Sequence, residues 1–407
     1  MRIAARTPRG AVVGGMLLVL LGLLAPAAHA AQPPHATQMP HATQPPHATQ
    51  TAHTARPGHL TRPDAGTGYT WTRLTWTGSG TGIAATNVKH GLYFFYQAAG
   101  STTWRKETVA APNAGPGYDY YTPALVSVGS SGVGITAVDY YGNLDYWWQA
   151  AGTSTWTYLP VARANDFRYQ TPSIAVTSYG VVISAGFTFG DLIFFYEYWG
   201  DPTWNEEVVA DDASDDGDTY PNSSIVVNSD DGINIADNYE GTISDWYQPS
   251  GSSTWTQYAV AADATSDPVQ MTEYGGNLVI AGLVQNDANA PTLWTQAPGG
   301  GWVQTTLYSP TTEYGPPQIS AGPDAALVTA PQASGGLRYW RARGAGSPWI
   351  SGTVVKATKS TFYGLPAAGL TPSSAVVSAI NADNGNLVSW FQKNGSNTWT
   401  KDQVAKG

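Results

Sequence analysis

The sequence predicts an all-β chain, a seven-bladed β-propeller of four-stranded antiparallel blades. Three observations carry this. The phrase LDYWWQAAGTSTW, at Leu144 to Trp156, occurs in seven versions, two of them eroded, whose closing tryptophans at 104, 156, 204, 255, 302, 349 and 399 stand 47 to 52 residues apart. A fixed period of this size means a propeller, a solenoid or an array. Second, the phrase reads as a β-hairpin around glycine, rich in the aromatic and β-branched residues of strands. Third, two more strand candidates precede each hairpin, so each unit holds four strands in about 50 residues. The period-2 pattern excludes a helical solenoid.

In chain order, residues 1–30 read as a secretory signal: Arg2, Arg6 and Arg9, an apolar stretch from Ala11 to Leu24, then the A-x-A site Ala28-His29-Ala30. Its removal takes three arginines and no acid, moving the formal charge from -10 to -13. An acidic chain argues against nucleic acid and anionic membrane as partners. A secreted, extracellular location follows, with no membrane insertion after cleavage. The chain has no cysteine, which excludes disulfides and thiolate chemistry.

Residues 31–66 form a Pro/His/Thr-rich linker with three PHATQ repeats and histidines every six residues from His35 to His59. Nothing apolar here could offset the entropy of folding, so a disordered spacer is expected. Evenly spread histidines on such a chain are poorly preorganised for a metal.

The propeller spans 67–407. Its first strand lies in YTWTRLTWTGS (Tyr69 to Ser79), and its last in TWTKDQVA, ending at Ala405. The ring closes either by packing the first blade on the last or by sharing a closing strand around Trp71. In blades two to four the leading strands are ALVSV and GVGITAV, SIAVTS and VVISAGF, and SSIVVN and INIAD. Pro123, Pro172, Pro221, Pro317 and Pro366 precede first strands, where no ladder donor is needed. In six copies an aromatic stands nine residues before the closing tryptophan, as Trp147 before Trp156. With Ala151 and Gly152 as a two-residue turn, Trp147 is expected opposite Trp156, and Gly152 supplies the positive φ.

Four sets of residues are candidate ligand contacts. Aromatic pairs such as Trp147 and Trp156 could stack on the apolar face of a sugar, although repetition in every blade is also what core packing demands. The polar residue after them, Gln149 in the second blade, has donors and acceptors for hydroxyls and could equally tie down the turn. Asp139 and Asn238, near second-strand ends, are either turn-makers or pocket polars. Tyr121, Tyr169, Tyr220, Tyr314 and Tyr363, before the blade-opening prolines, are expected on loops at a face of the ring, where propellers bind ligands.

No catalytic residue, metal site or cofactor is assigned. His90 is the only histidine of the folded part, no G-x-S-x-G elbow accompanies it, and the acidic run Asp211 to Asp218 does not match a calcium loop. Carboxylates such as Asp139 and Asp237 are not singled out as a hydrolytic pair.

The turns GSTTW, GTSTW, GSSTW and GSNTW loosely resemble the Asp-box of bacterial sialidases, but lack its aspartate and place Gly four residues before Trp instead of three. Blade number, repeat length and aromatic-plus-Trp hairpins are similar to the seven-bladed propeller lectins of fucose-binding and tectonin-like type. That resemblance implies glycans bound between adjacent blades by a ring and polar side chains. The arginine and glutamate that fucose binders often add do not recur in each blade here. The expectation is therefore a monomeric, non-enzymatic, lectin-like propeller with several weak sites, its partners glycans or cell-surface glycoconjugates. The alternatives are a cell-surface protein-interaction scaffold and a glycoside hydrolase or lyase working in the central channel.

Overall fold

The computed structural model describes residues 68–407, apart from 113–120, 165–167, 189, 212–221, 266, 285–288, 308–311, 323, 359–361 and the side chain of residue 121. The signal and linker, Tyr220 and nearly all of the acidic run lie outside the described residues.

Twenty-eight strands form seven four-stranded sheets. Blade 1 holds β1 (Tyr69–Trp76), β2 (Gly80–Asn87), β3 (Leu92–Ala98) and β4 (Arg105–Ala110). Blade 2 holds β5 (Tyr121–Ser127), β6 (Gly132–Val138), β7 (Leu144–Ala150) and β8 (Thr157–Ala162). Blade 3 holds β9 (Tyr169–Val176), β10 (Gly180–Phe187), β11 (Leu192–Tyr198) and β12 (Asn205–Ala210). Blade 4 holds β13 (Ser223–Val227), β14 (Ile233–Tyr239), β15 (Thr242–Gln248) and β16 (Thr256–Ala261). Blade 5 holds β17 (Gln270–Tyr274), β18 (Asn277–Val284), β19 (Ala290–Gln296) and β20 (Trp302–Thr306). Blade 6 holds β21 (Gln318–Gly322), β22 (Ala325–Pro331), β23 (Leu337–Arg343) and β24 (Ile350–Val355). Blade 7 holds β25 (Ala367–Leu370), β26 (Ser374–Asn381), β27 (Asn386–Lys393) and β28 (Thr400–Ala405). Within each sheet the strands lie in chain order and pair antiparallel.

The core is divided among the seven junctions between neighbouring blades. One cluster joins Phe94 and Leu92 of blade 1 to Ile135 and Trp147 of blade 2. Another joins Tyr146 of blade 2 to Ile183 and Phe195 of blade 3. The series continues around the ring to a cluster of Ile83 and Phe95 with Ile380 and Leu387, which closes blade 1 on blade 7. Each blade is covered on both faces, so every residue of β2 and β6 is buried. Closure is by packing: β1 is the first strand of its own sheet, and blade 7 is complete without it. A hydroxyl pair, Thr72 Oγ1 and Ser378 Oγ at 3.3 Å, and the bond from Tyr69 N to Gly385 O at 2.9 Å seal that junction.

The hairpin register differs from the expectation. Trp147 lies opposite Tyr158, and Trp148 opposite Thr157, so the same register carried one step further sets Gln149 against Trp156. The connection is longer than two residues. Thr153 N donates to Ala150 O, closing a turn in which Gly152 has φ +77°, and the chain runs unpaired to Trp156 before β8 begins. In sister loops Ser101, Ser252 and Ser396 accept through Oγ from the amide two residues on, each at 3.0 Å, and Asp201 does the same through Oδ1. That side-chain turn carries the extra residues.

Candidate functional site

The register shift places Gln149 and Trp156 side by side on the face of blade 2 that meets blade 1. Both reach the same oxygen of Glu107, which comes from β4. Gln149 Nε2 donates to Glu107 Oε2 at 2.5 Å, and Trp156 Nε1 donates to it at 3.1 Å. The arrangement recurs. Gln97 Nε2 and Trp104 Nε1 of blade 1 donate to Asp402 Oδ2 of blade 7, at 3.3 and 2.9 Å. Gln248 Nε2 and Trp255 Nε1 of blade 4 donate to Glu207 Oε2 of blade 3, at 2.8 and 3.3 Å. Hydrogen bonds to an ionised acceptor are worth roughly 1.5–3 kcal/mol each, so the cluster fastens neighbouring blades. It also fixes an indole at the rim. The three tryptophans and Glu107 and Glu207 are only half-buried, whereas the glutamines are buried. Among the described residues, the second oxygen of each carboxylate has no protein donor. A half-open indole beside an open carboxylate oxygen offers an apolar face and a hydroxyl acceptor together.

Four junctions lack this cluster. Between blades 2 and 3 the acid is replaced by Leu159, Glu197 takes the glutamine's place, and Trp204 Nε1 is buried without a partner among the described residues. Burial first, and the nearby Asp201 second, push the Glu197 carboxyl up to about 7. Between blades 6 and 7, Gly352 replaces the acid, and Gln392 instead meets Tyr339 Oη and Arg341 NH1, both at 3.4 Å. Tyr258 and Thr305 stand in the acid's place in blades 4 and 5.

The other candidates fare differently. Trp147 is 3% exposed and packs between blades 1 and 2, so no ring face is open to a ligand. Tyr169, Tyr314 and Tyr363 are not on exposed loops, which corrects that expectation. All three are buried, edge-on to Phe195, Trp340 and Trp390 of their own blades. In blade 3 the reason is a bulge at Pro172: β9 continues through it and pairs Tyr169 with Phe187. As in blade 3, the backbone of Tyr121 in β5 pairs with Val138. Tyr314 and Tyr363 instead form isolated bridges to Gln332 and Asn381, ahead of β21 and β25. Asp139 holds a turn, accepting from Asn143 N and Nδ2 at 2.8 Å each. Asn238 accepts from Gly241 N and donates to Thr265 O and Asp267 O. Of the nine candidates, the structure brings only Gln149 into the recurring cluster.

Sequence reasoning missed the acids. Their signal was present as W-x-x-[DE] in Trp104 to Glu107, Trp204 to Glu207 and Trp399 to Asp402, each followed one blade later by Gln and Trp.

No family model and no curated protein matches the chain. Solved structures do. The BP39L lectin from Burkholderia pseudomallei superposes with a TM-score of 0.68 at 15% identity, over 83% of this chain and 100% of that one. A mutant of AofleA from Arthrobotrys oligospora gives 0.51 at 12% identity, over 71% and 86%. The Aleuria aurantia lectin, a six-bladed propeller, gives 0.46 at 11%, over 73% and 99%. At these identities the first two show a likeness of fold.

Proposed function

We propose that this chain is a secreted, non-enzymatic, lectin-like propeller that binds glycans weakly at junctions between blades. The observation that carries the reading is the recurring cluster of carboxylate, glutamine and half-open tryptophan at three junctions. Sugars present C–H faces and hydroxyls side by side, which an indole and an acceptor oxygen engage together. The fold likeness to a protein described as a lectin supports the reading, as does the leader-like sequence of residues 1–30 for secretion. Several weak sites on one ring gain avidity on a repetitive glycan surface.

A second reading, a cell-surface scaffold for another protein, is favoured by one patch. Tyr140 and Tyr141 are exposed, edge-on to each other at 5.6 Å, with Arg168 over the Tyr140 ring. Aromatic rings with arginine are what protein interfaces enrich.

A glycan array probed with the purified protein, with and without EDTA, tests the first reading. Binding to a related set of glycans is expected, followed by calorimetry of one of them on the wild type and on Glu107→Gln. The variant should lose one binding site in stoichiometry, while Trp204→Phe, at a junction without the acid, should lose none. Silence of the folded protein on a broad array removes the glycan reading and favours the scaffold.

A further inference from the structure

The first strands of all seven blades line an axial cavity of about 210 Å³, open at its mouth. Its lining is polar and, with one exception, uncharged. Thr171, Asn222, Gln270, Thr272 and Ser320 face it, and among the described residues no Asp or Glu does. The exception is Arg73 of β1, the one charged residue of the lining among the described residues.

Arg73 has no acidic partner among the described residues. Its side chain donates from NH1 to its neighbour's carbonyl, Thr72 O, at 3.1 Å. Burial among the strand walls lowers the guanidinium to about 10, with no nearby carboxylate to offset it. Arg73 is half-buried, with its remaining surface open to the channel, and a partly desolvated cation is ordinarily paired, because losing hydration without a partner costs free energy. Nor do the five polar residues named above use their side chains in any hydrogen bond among the described residues. The channel therefore holds an unmatched positive charge ringed by unused hydroxyls and amides.

From this arrangement we infer that the axial channel is a binding site for a small hydroxylated carboxylate of the sugar-acid class, its carboxylate on Arg73 and its hydroxyls on the neutral lining. Arginine presents a planar fork that matches a carboxylate. A monoanion balances the single cation, whereas a dianion such as sulfate or hydrogen phosphate leaves excess negative charge in the channel. The volume suits one small molecule, since a cavity of roughly 150 Å³ holds benzene. This site lies on the ring axis, apart from the junction clusters, and does not depend on the glycan reading.

The test is calorimetry of the full chain with D-glucuronate, D-glucose and sulfate at low ionic strength. Glucuronate should bind with one site per chain, glucose and sulfate should not compete at equal concentration, and Arg73→Gln should weaken glucuronate at least about tenfold. Glu107→Gln should leave it unchanged, which separates this site from the junctions. A second readout needs no variant: modification of Arg73 by phenylglyoxal, mapped by mass spectrometry, should slow when glucuronate is present. Absence of glucuronate binding overturns the inference. So does sulfate binding without glucuronate, or, for a folded Arg73→Gln protein, undiminished affinity. If that variant does not fold, Arg73 modification that glucuronate leaves unslowed overturns it equally.

Discussion

Trp156 and Trp204 hold the same place in neighbouring blades, yet only Trp156 finds an acceptor. Its Nε1 donates to Glu107, whereas Trp204 faces a blade with Leu159 in the acid's place and keeps a buried N–H without a partner among the described residues. An unmade bond of this kind costs about 1–3 kcal/mol. Asp245 is the sharper case. It stands where blades 1 to 3 have Phe94, Tyr146 and Phe194, each of which meets the next blade's closing tryptophan edge-on. Both of its carboxylate oxygens are buried without a partner among the described residues, and burial pushes it up to about 7. Burial also raises Asp237 to about 7, offset in part by its hydrogen bonds and assisted by Asp245. For such groups the folded state holds protons that the unfolded state, near 4, has released. Their contribution is therefore full below about pH 4 and is lost as pH rises through 7. Melting followed from pH 5 to pH 8 should fall more steeply in the wild type than in Asp245→Asn. Parallel curves for the two proteins would show that Asp245 does not titrate in this window.

At the level of the strand and the hairpin, the sequence read well for what is periodic and poorly for what is not. Alternation and glycines marked the hairpin of each blade, and prolines the first strands of five blades, because each blade repeats the same two-faced burial. The register was misjudged, since nothing in GTSTW distinguishes a two-residue turn from a turn followed by unpaired residues. The tyrosines were misplaced for a related reason: a proline beside a tyrosine reads as a loop, whereas the bulge keeps Tyr169 within β9. Gly152 and Gly132 give a direct test of hairpin backbone geometry. At Gly152, φ is +77° and a Cβ would meet nothing, so Gly152→Ala should cost only the left-handed backbone, about 1 kcal/mol. At Gly132, φ is +149° and a Cβ would lie 2.0 Å from Gln149 O, inside the sheet that holds the site glutamine. Urea unfolding should show Gly132→Ala markedly less stable than Gly152→Ala. Equal losses would mean that the sheet yields at Gly132 and does not hold Gln149 rigidly.

On the scale of the whole ring, the number of blades was legible but the means of closure was not, because closure depends on residues hundreds of positions apart. Thr72 meets Ser378, and Trp104 meets Asp402. The consequence is energetic as well as topological. Each apolar cluster is shared by two blades, so no blade owns a core. In an open solenoid the end units are capped by polar faces, and stability is a sum over neighbours. Here, removal of blade 7 would bare Tyr339 and Leu337 on one side and Ile83 and Phe95 on the other. A chain ending after Val355 should therefore lose cooperative unfolding altogether. A circular permutant should behave oppositely. The two ends of the described chain lie together, with Gly68 and Gly407 both packed against Gly385. Joining them and opening the exposed Gly299-Gly300 turn preserves every junction. Its melting should stay within a few degrees of the parent, followed by circular dichroism. A truncated chain that still unfolded in one sharp transition would show that six blades suffice, and that the contacts between blades 7 and 1 add stability without setting the fold.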